Sequence, residues 1–400
     1  MLKEENGGRL YTAAYKGDVL GYVAIHSTIN GRSCGGLRML PDIDEAEIQA
    51  LARSMTLKYG FLGLPQGGAK AGVFGNPDVP REERLERLVE FGQAIAPLLR
   101  SRTFVPNADM GTQNDEIRHM LNAVGIRVSY RDLQDNSSGY YTALSVRTGV
   151  VQSARHIGLN LIGCTAAIEG FGNVGRPLAS LLASGGIKVV AISTSRGALY
   201  SPGGLQVEQL VRLAEEAGSR VVELYHDAEL IDREKLFELP VDILCPCARW
   251  NSLTMSNVRR IAAQVICPGA NNPITPNAEH ALFEQGVLCL PDFVTNCGGV
   301  LGGTMEFASV GRERISTFIH HHIGTRIAKL LNEARSNHQL PRDVALPLAL
   351  RRFSHIAQSV EHPTPLTKLF NFGLELYRRG WIPGRLVAPL SLRYFKKLLT

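Results

Sequence analysis

Two lysines and one aspartate are the residues of this 400-residue chain whose types and setting suit proton chemistry: Lys58, Lys70 and Asp109. Lys58 closes a helical pattern that begins near Asp44. Ile48, Leu51, Ala52 and Met55 fall on one face at helical spacing, and Lys58 lands at the edge of that face. Lys70 sits in Gly67-Gly68-Ala69-Lys70-Ala71-Gly72, whose three glycines let backbone and substrate approach closely. A lysine in so dry a place loses its proton easily and acts as a neutral amine. Each lysine also reads as a snorkelling side chain beside an ordinary turn. Asp109, in Val105-Pro106-Asn107-Ala108-Asp109-Met110-Gly111-Thr112, puts a carboxylate at a strand end, suited to proton transfer. The same residue fits an Asx-turn or a helix cap.

The elements around these residues read in two blocks. Residues 10–40 give short strands, the helix from Asp44 delivers Lys58, residues 71–74 form a strand, and 81–99 form a charged amphipathic helix. Residues 135–139 are loop-rich and read as a hinge, before a helix over 142–158. The second block opens with an apolar strand over 160–169, followed at once by Gly170-Phe171-Gly172-Asn173-Val174-Gly175, a helix over 177–183 and a strand over 187–192. Strand, GxGxxG, helix, strand is the context of a dinucleotide site. The first glycine turns the chain, the second admits the pyrophosphate to the helix N-terminus, and the third lets helix and strand pack. The next strand ends Ser193-Thr194-Ser195-Arg196, with no acid for a ribose hydroxyl; small hydroxyls and an arginine suit a 2′-phosphate, a lean towards NADP. Further parallel strands over 241–245, 264–267 and 286–290 end in loops carrying Asn251, Asn272 and Asn296, where such a sheet binds ligands. From 313 to 352 the pattern is helical. His320, His321 and His322 are consecutive there, and consecutive helical residues do not converge on a metal.

Composition bounds the rest. At 44% apolar and 20% charged residues this is a globular chain long enough for two domains. Seven cysteines without framework spacing suggest reduced thiols and a cytoplasmic setting, and Cys245 and Cys247 lack the partners of a zinc site. The N-terminus has no signal-peptide pattern, and no apolar run is long enough to span a membrane. The formal charge of +6 is concentrated at the end: residues 361–400 hold seven basic residues against Glu361 and Glu375, so no nucleic-acid surface is expected for the whole protein.

With these motifs in order, the chain resembles the glutamate/leucine/phenylalanine/valine dehydrogenase superfamily over roughly residues 11–353. The carriers are Gly35-Gly36-Leu37-Arg38-Met39, Met55-Thr56-Leu57-Lys58, Gly67-Gly68-Ala69-Lys70, Ala108-Asp109-Met110-Gly111-Thr112, the 170–175 glycine motif, Gly269-Ala270-Asn271-Asn272-Pro273 and Asn296-Cys297-Gly298-Gly299-Val300. The resemblance implies NAD(P)-dependent oxidative deamination of an L-amino acid to its 2-oxo acid. It implies that Lys58 grips the substrate α-carboxylate, that a neutral Lys70 activates the attacking water, and that Asp109 shuttles protons. Thr142 matches a position near the nicotinamide carboxamide; Asn251, Asn272 and Asn296 match positions lining cofactor and substrate. Gly170, Gly172, Asn173, Val174, Gly175, Thr194, Ser195 and Arg196 complete the cofactor set. Glutamate enzymes of the family carry a lysine where this chain has Cys34, so an apolar or aromatic substrate is expected, in a pocket lined by Cys34, Gly35, Met55 and Val300. Gly302 and Gly303 are read as leaving room for a bulky side chain. The family's usual acidic ribose contact is Thr194 here.

The expected architecture is α/β in two domains. Residues 1–138 form an N-terminal catalytic and oligomerisation domain, completed by helices over 312–355. Residues 139–311 form a Rossmann-like dinucleotide-binding domain, and catalysis is expected in the cleft between the two. Residues 356–400 are a basic extension, read as a subunit-packing element of a homo-oligomer rather than a membrane anchor. The rival readings are a non-catalytic binding homologue, which would not need all three of Lys58, Lys70 and Asp109, and an interaction protein working through the tail.

Overall fold

Each expected block builds a sheet of its own. In a computed structural model, which describes residues 2–5, 8–128, 137–361 and 365–399, the chain divides into two units. The first comprises residues 1–136, 307–309 and 348–393, the second 137–306, 310–347 and 394–400. The helices over 312–347 thus cluster with the second unit, and the return to the first begins at residue 348, beside Pro347 inside the helix Pro341–Glu361. The hinge reading over 135–139 falls partly outside the described residues; Ser138 and Gly139 open the helix Ser138–Ile157.

The first unit holds a six-stranded sheet of β1 (Leu2–Glu5), β2 (Gly8–Tyr15), β3 (Asp18–Ile25), β4 (Ser33–Leu40), β5 (Gly67–Phe74) and β6 (Phe104–Ala108), in the order β1-β2-β3-β5-β4-β6. β4 runs parallel to both β5 and β6, and the other pairs are antiparallel. Leu10, Ala24, Leu40, Ile43, Ile48 and Ala52 form a core with the helix Glu45–Leu62. Leu37, Val73, Leu88, Phe91, Phe104, Ile117 and Met120 form a larger one with the helices Arg81–Ala94 and Asn114–Ala123. The expected 81–99 helix is broken at Ile95, where Ala96–Arg100 starts anew with a proline in its first turn. The helix Pro341–Glu361 packs at Gly60, where a Cβ would lie 2.2 Å from the Ala349 carbonyl oxygen.

The second unit holds a seven-stranded sheet in the order β10-β9-β8-β7-β11-β12-β13: β7 (Thr165–Glu169), β8 (Lys188–Thr194), β9 (Gly197–Tyr200), β10 (Glu229–Ile231), β11 (Ile243–Pro246), β12 (Val265–Ile266) and β13 (Leu288–Cys289). The run from β8 to β13 is parallel, and β9 and β10 add an antiparallel edge. β8 lies on one side of β7 and β11 on the other, so the strand order reverses at β7; the crevice at such a point is where doubly wound sheets bind nucleotides. The apolar run over 160–169 yields a strand only from Thr165.

The triple histidine lies in a single π-helical segment, Ile319–Ile323, between Arg312–Phe318 and Gly324–Ser336. Among the described residues no group of side chains is arranged to hold a metal ion, and no helix is long and apolar enough to cross a membrane. All seven cysteines are free thiols.

Candidate active site

Lys58 owes its place to the helix Glu45–Leu62. Asp44 caps its N-terminus by accepting the Glu47 amide at 3.3 Å, Glu45 and Glu47 suit the positive helix end, and Gly63 ends it at φ 76°. Lys58 is buried, at 5% exposure. Lys70 is also buried, but in strand β5 rather than a turn. The surrounding glycines serve neighbouring elements. A Cβ on Gly68 would lie 2.3 Å from the Thr56 amide nitrogen, and one on Gly67 2.3 Å from the Ser27 carbonyl oxygen.

The Lys70 ammonium pairs with Asp109 Oδ2. The Arg38 guanidinium reaches the same oxygen, from Nη2 at 3.3 Å and Nε at 3.4 Å, while its Nη1 pairs with buried Glu47. Thr112 fixes the aspartate loop: its hydroxyl donates to the Leu37 carbonyl at 2.7 Å and accepts the Asp109 amide at 3.0 Å. Gly36 on β4 leaves the carboxylate its room, since a Cβ there would lie 2.7 Å from the Asp109 Cβ. Burial pushes the Lys70 amine down from 10.5 to about 8; Arg38 and Lys58 act in the same direction and Asp109 opposes them. Burial pushes the Asp109 carboxyl up, but Lys70 and Arg38 outweigh it and hold the group below the ordinary carboxylate range. The result is a fixed carboxylate beside an amine that can give up its proton near neutral pH. Arg38 and Glu47 were given no role from the sequence. Arg38 stands in the Gly-Gly-Leu-Arg-Met motif, but the partner that reveals it, Asp109, lies 71 positions away.

Cys34 is the second residue of β4, and it is buried. Burial pushes that thiol up, so it is neutral, and its hydrogen-bond partners are Tyr59, Gln66, Asn107 and the Gly35 backbone. Asn107 Nδ2 donates to the sulfur at 3.0 Å. Gly35 faces the backbone of β5, where a Cβ would meet the Ala69 carbonyl oxygen at 1.7 Å. Met55 is buried in the lysine-bearing helix.

In the second unit the glycine loop joins β7 to the helix Gly175–Ser184. Gly170 turns at φ 89°, and its amide donates to Ser193 Oγ at 3.0 Å. A Cβ on Gly175 would meet the Gly170 carbonyl oxygen at 1.8 Å, so loop and helix need that glycine. A Cβ on Gly172 would meet nothing within 4 Å: this backbone is open to an approaching group, as a dinucleotide requires. The next residues, Asn173 and Val174, lead into the helix, and the Asn173 backbone packs on Gly139. Asn251 and Asn272 both take left-handed backbone, at φ 52° and 46°, and the Asn251 amide donates to the Asn272 carbonyl at 2.9 Å. Asn296 Nδ2 donates to the Ala270 carbonyl at 2.9 Å, while its buried Oδ1 has no partner. That orphaned acceptor and the open Gly172 backbone fit a nicotinamide dinucleotide. At the strand end preceding the glycine loop, Glu169 is buried with Oε2 unpartnered. Burial raises its carboxyl to about 7, against hydrogen bonds from Ser252 and the Ala248 amide.

The remaining positions differ from expectation in detail. Thr142 Oγ1 donates to the Ser138 carbonyl at 2.8 Å and lies where a Cβ on Gly299 would meet it at 2.3 Å. Gly302 faces the Tyr141 ring, where a Cβ would come within 2.2 Å, so its missing side chain serves helix packing and not a substrate. Val300 lies in the helix Gly298–Phe307. Thr194 Oγ1 donates to the Ser219 carbonyl at 2.8 Å and accepts the Arg196 amide at 3.1 Å. The Arg196 guanidinium lies 3.7 Å from the Glu223 carboxylate. Ser195 and Arg196 line an open cavity of about 420 Å³ together with Asp232, Arg233 and Glu234.

Comparison with known proteins shows the family. The family model described as Glu/Leu/Phe/Val dehydrogenase, dimerisation domain, matches residues 15–125, and the Glutamate/Leucine/Phenylalanine/Valine dehydrogenase model matches 122–359. The chain is 35% identical over 299 residues to the NAD-specific glutamate dehydrogenase of Staphylococcus aureus (strain COL), covering 72% of each chain. It is 35% identical over 305 residues to the glutamate dehydrogenase of Thermotoga maritima, again covering 72% of each. Among solved structures, the fold is shared with the hetero-hexameric glutamate dehydrogenase of Thermus thermophilus in its Leu-bound form (TM-score 0.75, 24% identity, 90% of this chain and 91% of that one). It is also shared with the L-tryptophan dehydrogenase of Nostoc punctiforme (TM-score 0.59, 24% identity, 88% and 97%). The chain therefore belongs to the glutamate/leucine/phenylalanine/valine dehydrogenase family and is an amino acid dehydrogenase, an oxidoreductase that uses a nicotinamide cofactor.

Proposed function

We propose that this enzyme oxidatively deaminates a neutral L-amino acid with an apolar or aromatic side chain, using NAD. The observation that carries the substrate reading is Cys34, a buried neutral thiol whose hydrogen-bond partners are all neutral. A substrate side-chain carboxylate would find no cation there, and leaving a charged group unpaired in a buried site costs about 3 kcal/mol, roughly two decades in rate. The relatives named glutamate dehydrogenases favour the other reading, and Cys34 is the feature that argues against it.

The chemistry follows from the first unit. The buried Lys58 ammonium holds the α-carboxylate. Asp109, kept ionised by Arg38 and Lys70, takes the proton of the substrate ammonium. Lys70, neutral above about 8, draws a proton from the water that attacks the imino carbon, and Asp109 returns a proton to the departing ammonia. When bound, the nicotinamide supplies the hydride acceptor. Gly170, Gly172, Asn173, Val174 and Gly175 would hold the pyrophosphate, Thr142, Asn251 and Asn272 the nicotinamide half, and Asn296 a donor of cofactor or substrate. Met55 and Val300 are assigned to the side-chain pocket with Cys34.

The lean towards NADP is withdrawn. Arg196 already faces Glu223, so a 2′-phosphate would approach a carboxylate, and the S. aureus relative is named NAD-specific. We assign catalysis and the subunit contacts of a homo-oligomer to residues 1–138, and the nucleotide to 139–311. A screen of the twenty amino acids with NAD and with NADP, followed by nicotinamide absorbance, tests the whole reading. Leucine or phenylalanine with NAD should exceed glutamate about 100-fold in kcat/KM. A glutamate value equal to theirs sinks the substrate reading, and faster turnover with NADP sinks the cofactor reading.

A further inference from the structure

Three loops at the carboxyl edge of the parallel sheet are tied together by one buried aspartate. Asp292 begins the short helix Asp292–Thr295 after β13 and is fully buried. Its Oδ2 accepts the Asn272 amide at 3.0 Å, and its Oδ1 accepts Arg342 Nη2 at 3.0 Å. Two further bonds from the same segment hold the 268–273 loop: Thr295 Oγ1 donates to the Pro268 carbonyl at 2.6 Å and Asn296 Nδ2 to the Ala270 carbonyl. The held loop passes the constraint on, because the Asn272 carbonyl accepts the Asn251 amide and the Pro273 carbonyl accepts the Leu253 amide at 2.8 Å. Asn272 and Asn251 need this support, since both keep left-handed backbone that a loop left to itself would relax.

Arg342 comes from outside the sheet, as the second residue of the helix Pro341–Glu361. Its guanidinium is forked: Nε pairs with Glu279 on the helix Pro276–Glu284, and Nη2 with Asp292. Both carboxylates are buried, so the single positive charge of the fork is shared between them and fixes the angle of one against the other. Only the Asp292 arm leads to the asparagine loops. Without the guanidinium, Asp292 would lose the charged partner that fixes its carboxylate, and the acceptor of the Asn272 amide would be less firmly held.

We propose that Arg342 is a positioning residue of this dehydrogenase: through Asp292 it sets the loops that carry Asn272 and Asn251, and so the affinity for the nucleotide and the rate of turnover. This rests on the assignment of those asparagines to the cofactor. The test uses the full chain and two readouts. One is amide hydrogen exchange of the peptide spanning residues 268–276 without nucleotide; the other is kcat and KM for NAD. In R342M, exchange of that peptide should accelerate at least tenfold while the 170–175 loop stays unchanged, and kcat/KM for NAD should fall at least tenfold. R342K keeps the charge but cannot fork to both carboxylates, and should lie between R342M and the parent; it carries the test where R342M does not fold. E279Q spares the Asp292 arm and should stay within threefold. Unchanged exchange in R342M overturns the positioning role, as does an E279Q loss equal to that of R342M. Faster exchange with unchanged kinetics shows instead that the asparagine loops do not meet the nucleotide, and that assignment fails.

Discussion

At Lys70 the protein holds an amine whose charge is costly and whose proton is therefore available. Its folded value of about 8 lies below the unfolded 10.5, so the folded state binds fewer protons between those two limits. Stability contributed by this group therefore rises with pH from about 8 to 10.5, and below 8 the full cost of the buried ammonium is present. Activity should move the same way: kcat/KM for deamination should climb through a pKa near 8 as the amine becomes neutral. Lys70→Ala should remove the climb and lower kcat by about 1000-fold, the middle of the range for losing a positioned general base. Nucleotide binding by fluorescence titration should survive, because the dinucleotide motif belongs to another unit. Turnover within tenfold of the parent would sink the base assignment. Lys58, Lys70 and Asp109 were legible in the sequence as types in a suggestive setting. Arg38 was not, because its use depends on a contact between strands that chain order does not display.

Elements were legible where their cause is local. The Asp44 cap and the apolar spacing after it place the lysine-bearing helix, and the glycine motif between two strands places the nucleotide loop. The strand around Lys70 was expected only from Ala71 and begins at Gly67, because its glycines answer to Thr56 and Ser27, residues that another helix and loop bring to the strand. Gly302 was misread for the same reason, its neighbour being Tyr141 on a distant helix. Two alanine substitutions separate these uses of glycine. Gly36→Ala puts a methyl against the Asp109 side chain, an overpacking that costs about 1–3 kcal/mol and turns the carboxylate away from Lys70. It should lower kcat at least tenfold with KM for NAD unchanged. Gly172→Ala meets no neighbour, so thermal unfolding should be unchanged while KM for NAD rises several-fold. A Gly172→Ala protein with parental KM would show that the pyrophosphate does not pass there.

At the scale of the molecule, the tail is the part that family likeness does not reach, since the matched region ends at residue 359. It forms two helices, Pro365–Arg378 and Gly384–Leu399. Up to residue 393 they belong to the first unit: Tyr377 is buried, its hydroxyl donating to the Phe307 carbonyl at 2.5 Å, and Gly384 packs against Ser309 so closely that a Cβ would lie 2.1 Å from the Ser309 hydroxyl. Yet Leu369, Phe372, Trp381, Leu386 and Leu390 are more than half exposed on this anchored piece. Anchoring with exposed apolar side chains is what an interface element looks like before its partner arrives. We take the partner to be a second subunit, consistent with the dimerisation domain matched over residues 15–125. Leu386 and Leu390 are four residues apart and share one helix face. Replacing both by glutamate should therefore lower the mass measured by light scattering during size-exclusion chromatography, without changing the circular dichroism spectrum. An unchanged mass, with loss of sedimentation on phosphatidylglycerol vesicles that the parent binds, would assign the face to lipid instead: the arginines at 378, 379, 385 and 393 would then meet the headgroups and Trp381 the acyl boundary.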